Sequence, residues 1–222
     1  ATVNRVGTTG STTAVTDLAQ SGVATTPGNG SIVIQTTTGD LTASAQVTAH
    51  GSGKILLQAS AGNVSLTQAA TSTSGAISIL ANNSLTTSAT ASITTGSTGT
   101  VDLEALNGSI TIGVGTTVVN KSGNIRLYAG DAITLGGLIT TEGTIGLNTG
   151  TGPVLDGDTD GSLDLQASGL LVVTQSFGTS TNGIEGDITR LAGRVQAGDF
   201  TLGVPNQLTI GELDLTVDRV TA

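Results

Sequence analysis

The chain of 222 residues has no Cys, no Met and no Trp, and only one Tyr and two Phe. The lack of Cys excludes disulfides, zinc–thiolate centres and thiol catalysis. The scarcity of aromatic residues excludes a core built around large rings, and few segments show helix formers at helical spacing. Hydrophobic residues still make up 36% of the chain and charged residues only 10%, which is not the composition of a disordered protein. The fold class that remains is an all-β protein of short apolar strands and many Gly turns.

Positive charge is also scarce, with 7 Lys and Arg against 16 Asp and Glu and a formal net charge of -9. Such a chain repels a phosphate backbone, so nucleic acid is not expected as a partner. No apolar run approaches the length of about 18 residues that a membrane helix needs, so we expect no membrane span. No signal peptide pattern opens the segment, and any export signal is expected to lie outside it.

The chain does contain an internal repeat, the phrase Gly-x-apolar-x-apolar, with spacings of 23, 22, 24, 24, 20 and 18 residues. A second apolar phrase follows the first five copies after eight or nine residues, and a third follows near Val47, Ile93, Val118 and Ile139. Three short strands and three turns fill about 22 residues, which is one coil of a parallel β-helix. We therefore predict coils of 18 to 24 residues with three strands each. The first phrase begins at Gly30, Gly53, Gly75, Gly99, Gly123, Gly143 and Gly161.

Alternate residues of each first strand are expected to point inward and stack as aliphatic columns, because side chains alternate along a strand. The residues between them face outward, which makes Asp102 and Arg126 neighbours on adjacent coils. Corner glycines are expected to supply positive φ angles. With a spacing of roughly 4.8 Å, about ten coils would give a rod about 50 Å long. The predicted columns are Ile32/Ile34, Ile55/Leu57, Ile77/Ile79, Val101/Leu103, Ile125/Leu127, Ile145/Leu147 and Leu163/Leu165.

Two stretches carry a family resemblance, GSIVIQTTTGDLTASAQVTAHGSGKILLQASAGNVSLTQAA in residues 30–70 and LAGRVQAGDFTLGVPNQLTIGEL in residues 191–213. They resemble the filamentous-haemagglutinin-type repeats of giant secreted bacterial surface proteins. The resemblance implies a right-handed parallel β-helix over essentially the whole chain. It also implies an extracellular location at the bacterial surface and a role as an adhesin or structural fibre. Because the repeat is a scaffold pattern, it transfers no catalytic residues.

The two termini resemble each other, with TVNRV in residues 2–6 and TVDRV in residues 216–220. The match predicts that residues 1–222 form a single solenoid domain that is one unit of a longer tandem array or filament. Open solenoid ends would also present unpaired strand edges. The expected partners are therefore neighbouring units stacked end to end, in the same chain or as a homopolymer.

The acidic segment LDGDTDGSLDL has the D-x-D-x-D-G spacing of a calcium loop. In such a loop, Asp156, Asp158 and Asp160 would converge on one cation, and Gly161 would permit the sharp turn. The position of the usual bidentate Glu is occupied by Ala167, and the flanking segments are predicted strands. Two interpretations stay open, a calcium site and an acidic corner that keeps the rod soluble.

An outer patch of Asp102, Glu104, Arg126 and Tyr128 is predicted from the stacking of two first strands. It could supply an acid, a base and an aromatic platform for sugar, or simply a ladder of charges. Polysaccharide-cleaving enzymes need paired carboxylates, so the alternative to a rod is a carbohydrate-binding or polysaccharide-degrading β-helix, with surface glycans as partners. The single His50 has no second His or Cys and no triad pattern around it. We assign no catalytic residue and predict that the chain is not an enzyme.

Overall fold

A computed structural model describes residues 2–6, 8–16 and 20–222 as strands and turns, with no helix in these ranges. The parallel strands form a β-solenoid of about 8 turns with about 23 residues per turn, which confirms the predicted fold class. The number of turns is lower than the ten or so expected. The strands are β1 (Thr2–Val6), β2 (Thr12–Thr16), β3 (Val23–Ala24), β4 (Ile32–Thr36), β5 (Leu41–Ala43), β6 (Val47–Ala49), β7 (Ile55–Ala59), β8 (Val64–Leu66), β9 (Ala70–Ser72), β10 (Ile77–Ala81), β11 (Leu85–Thr87), β12 (Ser92–Thr95), β13 (Val101–Ala105), β14 (Ile110–Ile112), β15 (Thr117–Asn120), β16 (Ile125–Ala129), β17 (Ile133–Leu135), β18 (Leu138–Thr140), β19 (Thr144–Thr149), β20 (Val154–Asp156), β21 (Leu165–Thr174), β22 (Ile184–Val195), β23 (Leu202–Gly203) and β24 (Thr209–Ile210).

Each regular turn contributes one strand to each of three faces. The first face contains β4, β7, β10, β13, β16 and β19, the second runs from β5 to β20, and the third runs from β3 to β18. The long strands β21 and β22 continue both the third and the first face, and so join these two faces into one 16-stranded sheet. The second face is extended beyond β20 by bridges from Val154 to Phe177 and from Phe177 to Phe200. The two Phe rings stack with their centroids 4.7 Å apart. Outside the solenoid, β1 and β2 form an antiparallel hairpin.

The core is a narrow aliphatic column that follows the axis of the solenoid. On the first face, Ile55 pairs with Ile77, which pairs with Val101, and the same register continues to Ile125 and Ile145. All five side chains are fully buried, as the period of two along each strand predicted. Burial of such columns removes apolar surface from water, which is the main stabilising contribution to folding.

The predicted register is wrong for the last copy of the phrase, which begins at Gly161. Leu165 lies on the third face, where it pairs with Ile139, and Leu163 is 40% exposed. The first-face column instead continues through Leu170, which pairs with Ile145. A spacing of 18 residues after Gly143 is too short for a turn of about 23 residues, so the same phrase falls one face earlier.

Five of the seven glycines that open the repeated phrase, from Gly53 to Gly143, are required by close packing between turns. A Cβ atom added to Gly53 or Gly75 would clash with the carbonyl oxygen of the corresponding Gly one turn earlier. Their φ angles are not positive, so the expected reason for these corner glycines is wrong. Buried hydroxyl groups support the same corner, since Ser72 Oγ donates to Gly53 O and Thr95 Oγ1 donates to Gly75 O, both at 2.7 Å. The described glycines with positive φ are Gly10, Gly22, Gly28, Gly39, Gly51, Gly115, Gly161 and Gly178.

Candidate functional site

The C-terminal segment 213–220, which we call the strap, crosses the outer side of the first face. Leu215 lies over Gly146 of β19, where any added Cβ would clash with the Leu215 side chain. One strand further back, Asn124 Nδ2 donates a hydrogen bond to Thr216 O at 2.8 Å. The strap therefore runs across successive turns of the solenoid and ties them together.

The end of the strap fits a groove on β7, β10 and β13. Val220 is 7% exposed and packs on Leu56 and Ala76, with Leu80 beside them. Its main-chain N–H donates to Ser78 Oγ at 2.9 Å. These contacts bury outward-facing residues that would otherwise be exposed to solvent. We call this surface the strap groove, and it is formed by Leu56, Ala76, Ser78, Leu80, Thr100, Asp102 and Glu104.

Two carboxylates of the strap groove are shared by two guanidinium groups. Arg126 Nη1 lies 2.6 Å from Asp102 Oδ1 and 3.2 Å from Glu104 Oε2. Arg219 of the strap places Nε 2.8 Å from Asp102 Oδ2 and also pairs with Glu104. The predicted neighbours Asp102 and Arg126 are thus in contact. Asp102 is fully buried, and it is stabilised there because both of its oxygens accept charged hydrogen bonds.

The predicted outer patch is brought together by this arrangement. Arg126 Cζ lies 5.1 Å from the centroid of the Tyr128 ring, within the range of a cation–π interaction. Burial raises the pKa of Glu104, but hydrogen bonds and charges from Arg219 and Arg126 outweigh it, so the pKa of Glu104 is lowered from its ordinary value. Sequence reasoning missed Arg219. A ligand for Asp102 and Glu104 would therefore have to compete with Arg219.

The acidic corner after β20 brings together a different trio from the predicted one. Ligand oxygens of Asp156, Asp158 and Asp164 all lie within 4.8 Å of one another. Asp160, the third predicted ligand, is outside this group and is exposed. The alternate acids instead form consecutive turns, in which Asp156 Oδ1 accepts from Asp158 N at 2.9 Å and Asp160 Oδ1 accepts from Ser162 N at 2.8 Å. Calcium remains a prediction for this corner, with Asp164 in place of Asp160.

The electrostatics of the acidic corner are unfavourable for several ionised acids. Burial raises the pKa of Asp164 to about 7, and charges on Asp156 and Glu185 add to the effect, although a hydrogen bond from Glu185 N opposes it. Burial and the charge of Asp156 likewise raise the pKa of Glu185. In this corner, Asp156 Oδ2 and Glu185 Oε2 are buried without a hydrogen-bond partner among the described residues. A bound cation would neutralise these oxygens, and carboxylates are the ligands that calcium prefers.

A polar cleft lies on the third face, at a place that sequence reasoning did not identify. It has a volume of about 490 Å³ and is lined by side chains that include Lys121, Glu142, Gln166 and Asp187. These residues come from successive turns and become neighbours only when the turns stack. The lining contains hydrogen-bond donors and acceptors but no aromatic ring, which sugar sites often use as a stacking platform.

Comparison of the chain with protein-family models, curated proteins and solved structures finds no match. Among the described residues, no helix is long and apolar enough to cross a membrane.

Proposed function

We propose that the chain is a structural segment of an extracellular bacterial fibre or adhesin. In this role, the solenoid is a stiff rod that projects from the cell surface and mediates attachment between cells or to a substrate. One observation carries the proposal, the unbroken parallel pairing of the first face from β4 to β22 over a continuous aliphatic core. Each turn is held by its neighbours, so stability and stiffness increase with the number of stacked turns. The extracellular location rests on the family resemblance of the repeats.

Both ends of the rod favour stacking against further units. At one end, β4 and β5 are edge strands, and Ile34 and Leu41 line an apolar depression with Val23. At the other end, Ile210 on β24 is 81% exposed. Unpaired edges of this kind pair readily with another chain, and a head-to-tail contact that does not close produces a fibre.

The end-to-end proposal is tested by charging one end of the rod. We expect the wild-type chain to form filaments in electron micrographs, and Ile210→Lys to shorten them severalfold. Leu106→Lys is the matched control, because Leu106 is an exposed aliphatic residue, 49% exposed, on the side of the rod. Filaments of equal length in both variants would contradict stacking through this end.

The polar cleft favours a second candidate function, carbohydrate binding. Lys121, Glu142, Gln166 and Asp187 could hydrogen-bond several hydroxyl groups of an oligosaccharide along the rod. Binding to a glycan array that is lost in Glu142→Gln and Asp187→Asn would support this alternative. Incubation of the bound glycans with the chain, followed by product analysis, distinguishes a binding module from a polysaccharide-degrading protein.

A further inference from the structure

The strap ends in TVDRV, and β1 has the sequence TVNRV, so four of five positions are identical. The two segments lie in different environments. Residues 216–220 are docked in the strap groove, whereas β1 belongs to a hairpin whose described residues form no ladder with the solenoid sheets. Arg5 and Val6 are both exposed, and Val6 exposes 68% of its surface.

The identical positions include two residues whose side chains contact the strap groove. Arg219 pairs with the acidic groups of the groove, and Val220 fills its apolar end. The one position that differs contributes its main chain, since Asp218 N donates to Thr100 Oγ1 at 2.8 Å. Asn4, the counterpart of Asp218, would keep this main-chain contact and would bring no additional negative charge to an acidic groove.

We propose that the strap groove of one copy binds Thr2–Val6 of a second copy, with Arg5 between Asp102 and Glu104 and Val6 in the apolar end. The hairpin can release β1 at little cost, because an isolated two-stranded hairpin is only marginally stable in water. The exchange joins one copy to the next through β1, which takes the place of residues 216–220 in the neighbour's strap groove.

The strap of the same chain competes strongly for the groove. It is covalently attached, so its effective concentration is of millimolar order, and Leu213 and Leu215 add contacts outside residues 216–220. Binding in trans therefore requires a copy whose own residues 216–220 are displaced. The inference rests on the proposed fibre only in requiring several copies close together, and its test uses pairs of chains in solution, so either proposal can fail alone.

The test combines a receptor chain with a donor chain. The receptor carries Arg219→Glu and Val220→Asp, which release its strap, and Arg5→Glu, which disables its own β1. The donor has the wild-type strap and β1, so its own groove is filled, and both chains carry Ile210→Lys, which blocks stacking through the rod end. We expect sedimentation velocity to show a complex of one receptor and one donor that weakens as salt is raised.

Two donor variants decide which segment binds. Arg5→Glu should weaken the complex about thirtyfold or more, because a carboxylate replaces the partner of two acidic groups. Arg190→Glu makes the same charge change at an exposed position of β22 and should leave the affinity unchanged. The proposal is wrong if no complex forms, or if the Arg5→Glu donor binds as tightly as the wild type.

A second measurement needs only the wild-type chain. It tests the proposal even if the substituted receptor does not fold, which loss of the circular dichroism of its β-sheet would show. An amidated peptide with the sequence of residues 1–7 is added in excess, and carboxypeptidase release of Val220 is followed. Displacement of the strap should accelerate this release severalfold, and the peptide carrying Arg5→Glu should not. Equal rates with the two peptides would overturn the proposal.

Discussion

The protonation of Asp164 should control how stability depends on pH. Burial raises the pKa of Asp164 from 3.8 to about 7, so between these values the folded chain holds a proton that the unfolded chain has released. The unfolded state binds fewer protons, and the free energy of unfolding must therefore fall as the pH rises from about 4 to about 7. One pKa unit corresponds to about 1.4 kcal/mol, so a shift of about three units corresponds to about 4 kcal/mol.

The substitution Asp164→Asn removes this dependence while keeping the local hydrogen bond. The amide oxygen of Asn can accept from Glu185 N, which lies 3.0 Å from Asp164 Oδ2. In the presence of a chelator, we expect the variant to match the wild type near pH 4 and to be more stable by about 4 kcal/mol at pH 8. The raised pKa of Glu185 leaves a smaller fall with pH in both proteins.

Urea denaturation at pH 4, 6 and 8, followed by circular dichroism, measures the effect of Asp164→Asn. Asp199→Asn is the matched control, because it removes a carboxylate at an exposed turn outside the acidic corner. The control should lose stability with rising pH as the wild type does. If Asp164→Asn shows the same loss, the assignment of the pH dependence to this carboxyl is refuted.

Three further predictions concern the metal, the strap and the core. Addition of calcium at pH 8 should raise the thermal unfolding midpoint of the wild type, measured by differential scanning calorimetry, and should raise that of Asp164→Asn less. Equal shifts of the midpoint in the two proteins would argue against a calcium site that includes Asp164. Arg219→Ala should accelerate hydrogen exchange at the Val220 amide, which donates to Ser78 Oγ. It should lower the free energy of unfolding by only about 1 kcal/mol, since Arg126 still neutralises Asp102 and the Arg219 side chain is 40% exposed. Leu103→Ala, at a fully buried position of the first-face column, should lower the free energy of unfolding by about 3 kcal/mol, as urea denaturation would measure. A decrease below about 1 kcal/mol would contradict a close-packed core.

The repeated part of the fold could be predicted because its signals are local. A strand period of two and a Gly every 20 or so residues are visible in the sequence, and they place Ile55, Ile77 and Val101 in one buried column. The same local pattern failed at Gly161, because the phrase marks a strand but not the face that the strand occupies. Only the length of the preceding turn determines the face.

The strap could not be predicted, since its contacts join residues far apart in the sequence. Thr100 and Asp218, for example, are separated by 118 positions. The acidic corner groups a different trio of carboxylates from the predicted one for a related reason. Calcium-loop spacing selected Asp160, whereas stacking of the turns brings Asp164 beside Asp156 and Asp158. Such neighbours depend on which turns lie next to each other, and a spacing rule within one loop contains no information about that.

Electron microscopy of the intact native material tests whether this segment is part of a continuous rod. We expect stacked turns to continue without a break through both ends of the 222-residue unit. We also expect the strand spacing of roughly 4.8 Å to persist across each junction. Discrete particles of about 8 turns with closed ends would show that the segment is not part of a continuous rod. The polar cleft would then be the first surface to assay against polysaccharides.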